Sequence, residues 1–117
     1  MAGGKQIIDG VRFDSSKEAE VYRMFKADPD IDIISFHPAF ELFGTFVRNG
    51  KKIRGAKYTS DFLVKKNGIE YVVEVKSIRW EKDTAYRLRR KLFLKAYPEV
   101  NFIEYVFNRK KYEIKEY

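Results

Sequence analysis

Apolar and polar positions alternate along this chain in short runs, and two stretches of helical spacing interrupt them. The clearest alternation runs from Tyr58 to Ser77, where two segments rich in β-branched and aromatic residues flank Asn67-Gly68. Asn-Gly between such runs is the signature of a two-residue type I′ hairpin turn. With those residues as the turn, Lys66 faces Ile69. Pairing then continues as Lys65 with Glu70, Leu63 with Val72, Asp61 with Glu74 and Thr59 with Lys76, all on one face because side chains alternate across a strand. A three-residue turn would instead slip the register by one and separate Asp61 from Glu74.

The other elements follow from the same reading. Met1 to Lys5 is a loose start, and Ile7 to Phe13 is a short strand or a hairpin turning at Asp9-Gly10. Ser15-Ser16-Lys17-Glu18 is a capping-box pattern that opens a helix to about Ala27, before Pro29. Ile31 to Phe36 is a strand ended by His37-Pro38, and Phe40 to Val47 is another, interrupted at Gly44. Arg48-Asn49-Gly50-Lys51 is a second tight turn. Asp83 to Tyr97 is a second helix, stopped by Pro98, with Ala85, Leu88, Leu92 and Ala96 as its expected core stripe and Phe93 at the edge. Arg87, Arg90 and Lys91 fall on the opposite side, and Arg89 interrupts the apolar face. Val100 to Phe107 is a last strand, and Arg109 to Tyr117 is a charged, aromatic tail suited to a sheet edge. This order predicts one α/β domain over 1–117, with a mixed central sheet flanked by helices.

Composition narrows the partners. The chain has 117 residues, 44% of them hydrophobic and 16% aromatic, which favours a folded chain. It has no cysteine and a single histidine, His37, so thiolate zinc ligation and a histidine-based zinc site are excluded. No apolar run approaches a membrane span, and no signal-peptide pattern opens the chain, so a soluble, cytoplasmic protein is expected. Twenty-four Lys and Arg against 17 Asp and Glu give a net charge of +7. That balance favours a polyanionic partner, with nucleic acid first.

Candidate chemistry centres on the hairpin. Asp61 opposite Glu74 would put two carboxylates about 4.5–5.5 Å apart at Cβ, a like-charge contact that opposes folding. A divalent cation would offset it, since Mg²⁺ takes carboxylate oxygens. Lys76 projects from the same face and adds a positive charge beside the pair. Equally, the three charges could pair off on a solvated sheet face, and Glu113-Ile114-Lys115 repeats the Glu-x-Lys triplet with no such context. Glu18 lies among Val21, Tyr22 and Phe25 on the first helix, whereas Glu20 points away. A carboxylate on that side needs a partner or a metal, although Glu18 can also reach back to the Ser15 backbone as a cap. Lys52, Arg54 and Lys57 beside the second turn, and Arg87, Arg90 and Lys91 on the second helix, are candidates to grip phosphates. Trp80 and Tyr86 are candidates to stack on bases. His37 is given no catalytic role.

Glu18 on the first helix, Asp61 at a strand and Glu74-Val75-Lys76 on the next strand together resemble the PD-(D/E)XK nuclease superfamily. More narrowly, Phe13-Asp14-Ser15-Ser16-Lys17-Glu18-Ala19-Glu20, Tyr58-x-x-Asp61-Phe62 and Glu74-Val75-Lys76 resemble a family of small phage-encoded endonucleases akin to Holliday-junction resolvases. Arg89-Arg90-Lys91-Leu92 with Tyr97-Pro98 continues the likeness, while Ser60 stands where the superfamily pattern has Pro. The resemblance implies a restriction-endonuclease-like αβββαβ core and hydrolysis of DNA phosphodiesters with Mg²⁺ or Mn²⁺, in the host cytoplasm and by a homodimer. Asp61, Glu74 and the Val75 backbone carbonyl would hold the metal. Lys76 would orient or deprotonate the attacking water. Glu18 would complete the acidic cluster through water or a second metal. The compact, basic chain without an added specificity element favours branched DNA over sequence readout, with a restriction-type or general nuclease, an RNA-directed nuclease, and a binding module with a vestigial site as the alternatives.

Overall fold

The computed structural model describes residues 4–117, so the first three residues of the expected loose start lie outside the described residues. β1 (Gln6–Ile8) and β2 (Val11–Phe13) form a small hairpin. Its turn at Asp9-Gly10 has positive φ at both residues, as a type I′ turn requires. Helix α1 (Ser16–Ala27) then starts from Ser15, whose hydroxyl accepts the Glu18 N–H. The Glu18 carboxylate accepts the Asp14 N–H at 3.1 Å, one residue beyond the expected Ser15 backbone, so the reciprocal cap is one residue wider than the sequence pattern suggests.

β3 (Ile31–Phe36), β8 (Phe62–Lys66), β9 (Ile69–Ser77), β10 (Asn101–Asn108) and β11 (Lys111–Glu116) build the central sheet in the order β11-β10-β9-β8-β3. Only β9 and β10 run parallel. Between them the chain crosses through the short helix α2 (Ile78–Glu81) and α3 (Thr84–Ala96), the long connection that parallel neighbours need. The fold is thus mixed α/β with a mostly antiparallel sheet and few helices. No helix among the described residues is long and apolar enough to cross a membrane.

Each face of the sheet carries its own core. On one, Val21, Tyr22 and Phe25 of α1 pack with Phe13 against Phe62, Val64, Val73 and Val75. On the other, Tyr86 and Phe93 of α3 pack with Tyr58 against Val72 and Phe102. The stripe that α3 buries is therefore Tyr86, Arg90 and Phe93, not the expected Ala85, Leu88, Leu92 and Ala96. Leu88 and Leu92 face solvent instead. Phe93 stacks on Tyr58 and packs at a tilt against Phe102, and that burial outweighs what two leucines would gain on the other phase.

The hairpin register holds from Lys66↔Ile69 to Phe62↔Val73. There the expected pairing ends: Thr59 pairs with Ala39, not with Lys76. Residues 39–59 leave the body as a two-stranded arm. Its base is β4 (Ala39–Phe43) with β7 (Ala56–Thr59), and its tip is β5 (Phe46–Arg48) with β6 (Lys51–Ile53). The arm accounts for a radius of gyration of 15.6 Å and a longest dimension of 52 Å, where a compact chain of this length would have a radius near 13 Å.

Candidate active site

Four segments meet at one end of the sheet. β3 ends at Phe36-His37, β8 begins after Asp61, β9 ends with Glu74-Val75-Lys76-Ser77, and α1 arrives with its N-terminus. Backbone bonds lock the junction. His37 N–H donates to the Asp61 carbonyl at 3.0 Å, and Asp61 N–H donates to the Val73 carbonyl at 3.1 Å. Ser60, fully buried, donates its hydroxyl to the same Val73 carbonyl at 2.6 Å. The residue before Asp61 thus helps to fix where that aspartate stands.

Asp61 is not a ladder partner of Glu74, but its side chain folds over the strand end and accepts the Val75 N–H at 2.7 Å. Burial, then the charge of Glu74 and the proximity of Glu18, hold Asp61 well above the ordinary carboxylate range. Burial also raises Glu74, with Lys76 pulling the other way. Lys76 Nζ lies 3.7 Å from Glu74 Oε1 and 4.7 Å from the centre of the Tyr86 ring. Glu74 is only 3% exposed, and its Oε2 has no hydrogen-bond partner among the described residues. The Tyr58 hydroxyl is likewise buried without a partner, and burial followed by the charges of Glu74 and Asp61 opposes its ionisation.

A cleft of about 670 Å³ opens over this cluster, lined by Asp14, Glu18, Asp61, Val75, Lys76 and Trp80 among others. Sequence reasoning placed Glu18, Asp61, Glu74 and Lys76 together, and the structure brings all four to this point. It missed His37. With φ at +51°, His37 turns its ring back so that Nε2 lies 3.3 Å from Glu18 Oε1. Asp14, Glu18 and His37 place ligand atoms within 4.8 Å of one another, a set that can hold a metal ion. The His37-Pro38 sequence marked a strand end, but nothing local in it showed that the strand ends at the α1 N-terminus.

The expected phosphate contacts divide. Lys52, Arg54, Lys57 and Lys91 are exposed. Arg90 is not available. It is buried in an ionic cluster, donating to Glu81 at 2.9 Å and to the fully buried Glu104 at 2.7 Å. Arg87 is half-engaged, bound to the Glu81 carboxylate and carbonyl, both at 2.9 Å. Tyr86 is buried with its hydroxyl on Glu104, so it cannot stack on a base, whereas Trp80 is open to solvent.

Over residues 2–114 the chain matches the family described as "Protein of unknown function (DUF1064)", and it belongs to that family. No curated protein matches it. Among solved structures it is similar to one described as "Crystal structure of SSO0001", with a TM-score of 0.52 at 13% identity over 85% of this chain. The chain spans 47% of that protein's length, and at this identity the likeness concerns the fold alone.

Proposed function

We propose that the protein is a metal-dependent endodeoxyribonuclease of the PD-(D/E)XK kind, hydrolysing phosphodiester bonds in DNA. Glu18, Asp61 and Lys76 line one cleft, and Glu74 lies buried beside Asp61 and Lys76; that convergence carries this reading. A buried carboxylate oxygen without a partner, beside two further carboxylates, is an oxygen donor set suited to Mg²⁺ or Mn²⁺. Asp61, Glu74 and the Val75 carbonyl would hold the ion, with Glu18 completing the set. When bound, it supplies Lewis-acid polarisation of the phosphoryl oxygen and offsets the growing negative charge.

The rest falls to the chain's own side chains. The Lys76 ammonium, held between Glu74 and the Tyr86 ring, stands where it can orient a water and balance the charge of the pentavalent phosphate. The water oxygen bonds to phosphorus as one ester P–O bond breaks; the water gives up a proton to solvent, and the leaving oxygen takes one from solvent. The basic surface and the open cleft admit a polyanion, and net charge of +7 steers it in.

Incubation of supercoiled plasmid with Mg²⁺, Mn²⁺, Ca²⁺ or EDTA tests the reading directly. Nicking is expected with Mg²⁺ and Mn²⁺ but not with EDTA, and binding without efficient cleavage with Ca²⁺. Asp61→Asn, Glu74→Gln and Lys76→Ala should each abolish cleavage in a folded protein. Glu18→Gln keeps the cap to Asp14 and should lower the rate at least about 100-fold, the range of lost acid–base or electrostatic assistance. Wild-type rates in any of the first three would remove that residue from the site.

A further inference from the structure

We infer that the arm, residues 39–59, is a groove-inserting ribbon that grips duplex nucleic acid within about one helical turn of the candidate site. The inference rests on the proposed function for its choice of partner, and it adds how that partner is held. The arm is rooted in the site itself. β4 follows His37-Pro38 and β7 leads into Ser60-Asp61, with Ser60 N–H donating to the Pro38 carbonyl at 3.0 Å. Its base is fixed to the body: Phe40 and Leu42 pack on the α3 core, and the Tyr97 hydroxyl donates to the Glu41 carbonyl at 2.8 Å.

Beyond the base the arm has no support. Every residue from Phe43 to Gly55 is exposed. A two-stranded ribbon is marginal in water by itself, and this one also shows Phe43, Phe46, Val47 and Ile53 to solvent. The ladder breaks between base and tip, at Gly44 and Gly55. A Cβ on Gly55 would lie 2.3 Å from the Phe43 carbonyl oxygen, so the two strands cross here at a separation that only glycine permits. From root to tip about ten residues per strand reach at most about 33 Å, close to the 34–36 Å of one duplex turn.

Charge identifies the occupant. The arm carries Arg48, Lys51, Lys52, Arg54 and Lys57 against a single acid, Glu41. None of the five cations forms an ion pair among the described residues. At the tip, Phe46↔Ile53 and Arg48↔Lys51 share one face while Val47↔Lys52 occupies the other. Cations therefore project from both faces of the ribbon. A protein partner would cover one face, but the walls of a groove present phosphates to both, and the major groove, about 12 Å wide, admits a two-stranded ribbon.

The test measures binding apart from cleavage. In an Asp61→Asn background, anisotropy of a labelled duplex of about three turns is followed against salt for two triple variants. R48Q/K51Q/K52Q removes three charges from the arm tip. K26Q/K65Q/K66Q removes three exposed charges from the opposite end of the sheet. The arm triple should weaken binding at least about tenfold near 0.1 M salt and flatten the log K–log salt slope by about 2 to 3, and K52Q alone by about 0.9. The control triple should change affinity less than about threefold, since it disturbs only the long-range field. Equal effects of the two triples, or no effect of the first, would overturn the inference. So would a sedimentation change from dimer to monomer in the arm triple with duplex affinity intact, which would make the arm a contact between copies of this chain. The nuclease reading fails separately: arm-dependent binding by a wild-type protein that never cuts with Mg²⁺ leaves the arm's role standing.

Discussion

Asp61 and Glu74 would repel if both were charged, and burial adds to the difficulty. Because the folded protein raises Asp61 above the ordinary value near 3.9, it binds that proton more tightly than the unfolded chain does. The group therefore contributes its full stability below the ordinary value and loses it as pH rises through the folded-state value. At pH 7 and without metal, Asp61→Asn should raise the melting temperature by roughly 3–6 °C, as about 1 kcal/mol would in a domain of this size. Its amide oxygen can still accept the Val75 N–H. The difference should shrink toward zero as pH falls to about 4. A variant less stable than wild type at pH 7 would mean that the Val75 hydrogen bond needs the charge and outweighs the repulsion.

The element that departs most from its sequence pattern is α3, because a cation lies in its buried stripe. Arg90 is stabilised there by Glu81 of α2 and Glu104 of β10, with the Tyr117 hydroxyl also on Glu104 at 3.1 Å. One guanidinium thus ties both helices of the crossover to the sheet. The same cluster receives the hydroxyl of Tyr86, the residue whose ring lies under Lys76, so it also holds the ring against which Lys76 packs. Arg90→Met keeps much of the volume but leaves the fully buried Glu104 with hydroxyl donors in place of its cation, and Glu81 without the more buried of its two close arginines. It should destabilise the protein by about 3–5 kcal/mol in chemical denaturation. A loss below about 1 kcal/mol would place the helix's hold on the sheet in its aromatic contacts alone.

At the scale of the molecule, one compact body and one basic arm make a shape that could touch more phosphates on a branched duplex than on a linear one. We propose that the protein acts as a homodimer, with two sites placed for paired cuts. Under matched salt, a four-way junction should bind more tightly than a linear duplex of equal length, with paired nicks near the branch. Equal affinity for both, or a monomer in sedimentation that cuts linear DNA as fast, would favour a general or restriction-type nuclease.

The sequence by itself determined the local features. Asn67-Gly68 fixed the register from Phe62 to Val73, Ser15 and Asp83 fixed the helix starts, and the alternation on β9 put Glu74 and Lys76 on one face. These follow from turn geometry, capping and side-chain period, which act over a few residues. What only the tertiary structure decided depends on what each element packs against. Asp61 reaches Glu74 by bending over a strand end, not by ladder pairing, because Thr59 and Tyr58 are drawn into the arm. Arg90, basic and flanked by basic residues, reads as solvent-facing until Glu81 of α2 and Glu104 of β10 are packed against it. His37 meets Glu18 only because β3 ends where α1 begins. Helical period fixes which residues share a stripe, but not which stripe is buried, and that was settled here by aromatic surfaces and buried carboxylates on the elements α3 packs against.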